Sequence, residues 1–149
     1  MKILSQNKQA YFNYEILEEF TAGIVLTGAE IKSIRAGHMN LKGAYVTVLG
    51  GEAWLTNANI SRYPYDSNPD YDPFRKRKLL LQKKEIEKLS GKLNTQGVTL
   101  IPLSVGVKGR YAKLVLALAR GKKKHDKRAT IKDRDTKREA ERAMKRFKK

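Results

Sequence analysis

Cysteine is absent from all 149 residues, which excludes a disulfide framework and a thiolate metal site. Histidine is almost as scarce. His38 and His125 are the two present, one in a polar loop and one in a basic stretch, and no carboxylate cluster has the spacing of a metal site. No apolar run approaches the length of a membrane span, and residues 1–10 are polar where a signal peptide would be apolar. The expectation is a soluble, cytoplasmic protein with no membrane partner. Catalysis also lacks its parts, since no nucleophile is paired with a base and no carboxylates pair in a cleft-like pattern. Gly121-Lys122 has neither the preceding glycines nor the following Ser or Thr of a phosphate loop. No enzyme, metal or cofactor is expected.

Positive charge is what the chain has in excess. The net charge is +17, and residues 120–149 alone carry 15 Lys or Arg against 5 acids. That charge density names a polyanion as partner, with nucleic acid ahead of an anionic membrane surface. Beyond Ala129 the apolar side chains are Ile131, Ala140, Ala143, Met144 and Phe147, too few to offset the ordering entropy of so long a segment standing alone. We therefore divide the chain into a folded body, residues 1–120, and a basic tail, residues 121–149, that is disordered or helical. Thr136 and Glu139 have capping-box spacing, and Ala140, Ala143, Met144 and Phe147 recur at helical spacing, so a helix is encoded in the tail.

In the body, residues 2–9 read as a lead-in. Phe12, Tyr14 and Ile16 alternate with Asn13 and Glu15, the period of a half-buried strand starting at Tyr11, and a phase slip at Leu17 predicts that the strand is bulged or bent there. Gly23 leads from this strand into Ile24, Val25 and Leu26. Residues 27–37 predict a helix, with a Thr27/Glu30 capping box, a closing Gly37, and Ile31 and Ile34 on one face. Its polar side, with Lys32, Ser33 and Arg35, is expected to face outward. Residues 45–49 and 53–60 flank Gly50-Gly51 as a hairpin. Pro64, Pro69 and Pro73 then keep residues 61–74 a long loop. Residues 78–82 read as a strand or the start of a helix, with the strand favoured, followed by a helix over 83–93 in which Ile86, Leu89 and Leu93 share a face. Residues 98–107 and 111–119 form a second hairpin, with Leu114, Leu116 and Leu118 toward the core. Roughly six short, locally connected strands with two or three helices predict a mainly β fold, an antiparallel oligonucleotide-binding-like barrel or another small β-barrel.

The loop tyrosines Tyr63, Tyr65 and Tyr71, followed by Arg75, Lys76, Arg77 and Lys78, have the chemistry to stack on bases and hold phosphates. The bland reading, that the tyrosines pack the loop onto the barrel, carries equal weight. Lys32 and Arg35 taken alone are more often solvated surface charges than ligands.

Three blocks together give a more specific reading. Glu30-Ile31-Lys32-Ser33-Ile34-Arg35-Ala36-Gly37, Arg77-Lys78-Leu79-Leu80-Leu81 and Gly121-Lys122-Lys123-Lys124-His125-Asp126-Lys127-Arg128 resemble the SsrA-binding protein (small protein B) family of bacteria. Asn7-Lys8-Gln9-Ala10 and Ala22-Gly23-Ile24-Val25-Leu26 fit in matching order, so the resemblance spans nearly the whole chain. It implies an oligonucleotide-binding-like barrel that grips the tRNA-like domain of transfer-messenger RNA and brings it to stalled ribosomes for trans-translation. It implies contact with elongation factor Tu indirectly, through the charged RNA, and a monomeric protein. By the same resemblance Asn7, Lys32, Ser33, Arg35, Leu80 and Lys113 lie on the RNA-facing side. The tail residues Gly121, Lys122, Lys123, His125, Asp126, Lys127, Arg128, Ile131, Lys132 and Arg134 match the segment in the decoding centre and mRNA channel, with Gly121 as the joint. One departure is that Gly106-Val107-Lys108 stands where the family usually has an aromatic pair before the lysine. A ribosomal or ribosome-assembly protein that binds ribosomal RNA is the alternative reading, and a coat protein for single strands is a third.

Overall fold

In the computed structural model, which describes residues 2–122, the chain closes an antiparallel barrel. The strands are β1 (Lys2–Gln6), β2 (Tyr14–Ile24), β3 (Met39–Asn40), β4 (Tyr45–Leu49), β5 (Glu52–Thr56), β6 (Asn59–Ile60), β7 (Arg77–Leu80), β8 (Val98–Lys108) and β9 (Tyr111–Gly121), and the helices are α1 (Ala10–Asn13), α2 (Gly28–Arg35) and α3 (Lys83–Leu93). The main sheet runs β1-β8-β4-β5-β7-β2-β9, and β9 returns to β8, so six strands form a ring with β1 added at the edge of β8. Closure leaves few unpaired edges and a single interior to fill.

The expected elements are largely present. β2 carries its bulge between Ile16 and Glu18, where the phase slip predicted it. The capping box of α2 forms, with Thr27 Oγ1 accepting from the Glu30 N–H at 3.2 Å and Glu30 Oε1 accepting from the Thr27 N–H at 3.0 Å. Gly50 and Gly51, at φ 61° and 75°, make the two-residue turn between β4 and β5 that such positive angles permit. Residues 77–80 are a strand and α3 follows, with Leu89 buried beneath it. Leu114, Leu116 and Leu118 point into the barrel with Leu55, Leu79, Leu100 and Val105.

Four expectations are corrected. The lead-in is a strand, because residues 2–6 pair with residues 104–107 of β8. Tyr11 to Asn13 form a helical turn rather than the start of β2, since Ala10 drops into a second apolar cluster with Ile101, Leu103, Ala117 and Ala119 on the outer face of the sheet. Burial of Ala10 against that cluster overrides the local alternation, and Ala117 and Ala119, on the face opposite Leu114, Leu116 and Leu118, are buried there as well. The strand after Gly51 stops at Thr56, because Asn57 at φ 63° turns the chain and Asn59–Ile60 pairs with Met39–Asn40 in a small separate sheet. Finally, the polar side of α2 is not all outward: Glu30 and Ser33 are buried beside Ile34.

Candidate RNA interface

Five strands contribute one residue each to a row across the sheet. Leu80 of β7 pairs with Gly23 of β2, Gly23 with Lys113 of β9, Lys113 with Gly106 of β8, and Gly106 with Ile3 of β1. Directly paired residues share a face, and here that face is the outside of the barrel. Lys113 is exposed, and Leu80 and Ile3 are 57% and 50% exposed, whereas the alternate positions Leu79 and Leu114 are buried in the core. α1 covers the same outer surface farther along, at Ala117 and Ala119, and within the row Gly23 is half-buried and Gly106 buried between the exposed Leu80, Lys113 and Ile3. The Gly106-Val107 departure falls here: Gly106 occupies the row beside Lys113, while Val107 packs against the core.

α2 brings a second set of cations to this end of the barrel. The Arg35 guanidinium donates to the Gly109 carbonyl, which ties the C-terminal end of α2 to the β8–β9 turn between Lys108 and Arg110. One turn back, Lys32 Nζ lies 5.4 Å from the centre of the Tyr63 ring, which in turn meets the exposed Tyr65 edge to face at 5.5 Å. Among the described residues, the acids that form ion pairs engage other cations. Glu18 holds Lys88 and Lys92, Glu52 holds Lys78, and Glu30 holds Arg75 and Arg77. Lys32, Arg35 and Lys113 enter none of these pairs, so their charge is available to an anion.

Asn7 and Ser33 are placed differently. The Asn7 backbone N–H donates to Leu103 O at 2.8 Å and its side-chain amide to Pro102 O at 3.0 Å, clamping the start of α1 onto β8. Ser33 is buried, and its hydroxyl donates to the Ser61 carbonyl at 2.5 Å, holding the long loop against α2. Both act on the position of their neighbours.

Arg77, expected within an RNA-facing basic run, lies in the interior. Its guanidinium donates to Glu30 at 2.9 and 2.7 Å and to the carbonyls of Ala58 and Pro73, each at 2.9 Å. Arg75 joins from the loop side. Burial alone pushes the Glu30 carboxyl up, but the Thr27 N–H and the two guanidinium groups outweigh it and hold the group below the ordinary carboxylate range. Tyr71 donates its hydroxyl to Ile60 O at 2.6 Å and accepts from Arg77 at 3.2 Å, so of the three loop tyrosines this one packs the loop. The signal for Arg77 was its parity, since in a strand it shares a face with the buried Leu79. The signal for Gly23 was a glycine inside a strand pattern, a mark of close approach.

The barrel does not end at the expected boundary. Gly121 pairs with Tyr14 as part of β9, and Lys122 donates its backbone N–H to Asn13 O at 2.9 Å and its Nζ to Tyr11 O at 2.8 Å. The joint assigned to Gly121 is therefore strand. Lys123, His125, Asp126, Lys127, Arg128, Ile131, Lys132 and Arg134, and the helix encoded around Thr136, lie outside the described residues.

A closed antiparallel barrel that turns unpaired cations and a glycine-lined strip outward has the form of a small β-barrel nucleic-acid-binding protein. The comparisons narrow this class. The family model described as SmpB protein matches residues 4–146, and the chain belongs to that family. It is 55% identical to the SsrA-binding protein of Thermosynechococcus vestitus, over 97% of this chain and 96% of that protein. It is 52% identical to the SsrA-binding protein of Gloeothece citriformis, over 98% and 95%. Among solved structures, a chain described under "tmRNA-SmpB: a journey to the center of the bacterial ribosome" superposes with a TM-score of 0.67 at 47% identity, covering 80% of this chain and 84% of that one.

Proposed function

We propose that this protein binds the tRNA-like domain of transfer-messenger RNA and delivers it to stalled ribosomes for trans-translation. The carrying observation is the outer-face row in which Leu80 and Lys113 flank Gly23, in a chain that matches SsrA-binding proteins nearly end to end. Lys113, Lys32 and Arg35 supply phosphate contacts, Leu80 an apolar contact, and Asn7 and Ser33 fix the elements that present them. Recognition is directed by charge and shape, because few side chains on this face could read a base edge. The tail, from Lys123 through His125, Asp126, Lys127 and Arg128 to Ile131, Lys132 and Arg134, serves the decoding centre and the empty mRNA channel, with Lys122 at its junction with the barrel. The protein works as a cytoplasmic monomer, meets elongation factor Tu through the charged RNA, and performs no catalysis of its own. No described helix is long and apolar enough to cross a membrane.

The test is to purify the chain from its own cells, identify the RNA that accompanies it, and measure affinity for that RNA against salt. A single structured RNA with a tRNA-like end is expected. Lys32→Ala and Lys113→Ala should each lower the salt slope by about 0.7 to 0.9, and Ser33→Ala should leave the slope unchanged. Stoichiometric ribosomal RNA in place of the small RNA would instead favour a permanent ribosomal component.

A further inference from the structure

Gly23 is a glycine that the fold does not need. Its φ is not in the left-handed region, and a Cβ built on it would meet Leu80 Cβ and Cδ1 at 3.5 Å, an ordinary van der Waals contact with a flexible side chain. It sits one residue from the C-terminal end of β2, paired in register with Leu80 of β7 on one side and Lys113 of β9 on the other, where glycine weakens a strand relative to alanine. Neither turn geometry nor packing accounts for it. What sets the position apart is its place between two exposed side chains, Leu80 and Lys113, whose backbones are two strand spacings apart, about 10 Å.

We propose that Gly23 is the point of closest approach of the RNA to the barrel: a gap, one side chain deep, in which a ribose–phosphate strand lies against the sheet between the Leu80 side chain and the Lys113 ammonium. The inference rests on the functional reading above and gives Gly23, which that reading uses only as a landmark, a contact role of its own. With Gly23 in place the strand settles low enough for Lys113 to reach a phosphate without extending away from the sheet. Ile3, in the same row beyond Lys113 and Gly106, gives the strip a second apolar end. A side chain at position 23 would lift the RNA and weaken the Lys113 contact without touching the core.

The experiment compares Gly23→Ala, Gly23→Val, Lys113→Ala and the double variant Gly23→Val/Lys113→Ala in the full chain, using the isolated tRNA-like domain of transfer-messenger RNA as probe. Circular dichroism and Tm establish folding first, and Gly23→Ala is expected to melt at or above the wild-type temperature. Loss of one charge-assisted contact corresponds to about tenfold in affinity. Gly23→Val should therefore bind about tenfold more weakly with a salt slope like that of Lys113→Ala, Gly23→Ala should fall between, and the double variant should be no weaker than the weaker single variant. Wild-type affinity in folded Gly23→Val, or losses that multiply fully in the double variant, would overturn the proposal. Failure of the wild-type chain to bind the probe would instead remove the functional reading, and this inference with it.

Discussion

The Glu30 carboxylate and the Arg77 guanidinium meet at 2.7 and 2.9 Å with neither side chain exposed to solvent. Glu30 caps α2 and Arg77 opens β7, so one buried pair fixes the helix that carries Lys32 and Arg35 relative to the strand that carries Leu80. Every hydrogen-bonding group in it is used, and among the described residues no buried side-chain nitrogen or oxygen is left without a partner. A satisfied pair of this kind contributes little net stability, but removing one member strands a buried charge.

Arg77→Met and Glu30→Ala should each destabilise the protein by about 3–5 kcal/mol, read as a lower urea midpoint. Arg77→Lys should also fail to restore stability, because one ammonium cannot reach Glu30, Ala58 O and Pro73 O together. A midpoint within error of wild type in Arg77→Met would show that the pair has no such role.

Acid should act through the same carboxylate. Its titration is depressed in the folded state, so its contribution is present above the ordinary Glu value, about 4.3, and is lost as pH falls through the lower folded value. Urea midpoints of wild type and Glu30→Gln should therefore differ most above about pH 5 and converge on acidification. A gap that widens as pH falls would reverse the sign of the argument.

Neighbouring leucines separate core from surface. Leu79 is 1% exposed among core residues, while Leu80 is 57% exposed on the opposite face. Leu79→Ala should cost about 2–5 kcal/mol, whereas Leu80→Ala should remain folded with much smaller loss and show its defect in RNA affinity. Equal destabilisation by both would place Leu80 in the core.

Particular residues explain which parts of the structure were legible in the sequence. The capped helix at residues 27–37, the Gly50-Gly51 turn and the Leu17 bulge are set by local chemistry, so their signals are local too. Residues 2–6 carry no such signal, because their strand exists through pairing with β8, roughly a hundred residues away. Ala10 likewise turns helical for a cluster assembled from Ile101 to Ala119. At the candidate site, motif resemblance picked out Leu80 and Lys113. It could not show that Gly23 lies between them, since register across three strands is a property of the closed barrel. Arg77 was misread because its charge suggested surface, and its partner Glu30 was already accounted for as a cap.

Dividing body from tail at the end of the barrel tests the central claim most directly. The chain should be cut after Lys122, which keeps the Gly121–Tyr14 pairing and the Lys122 contacts to Asn13 and Tyr11 intact. Affinity for the free tRNA-like domain and tagging of nascent chains on stalled ribosomes would then be measured on the same preparation. The account predicts that residues 1–122 bind the free RNA within a few-fold of the full chain and support no tagging. Loss of most of the affinity for free RNA would mean that the tail belongs to the primary binding site, and would contradict the assignment of RNA recognition to the barrel face around Leu80, Gly23 and Lys113.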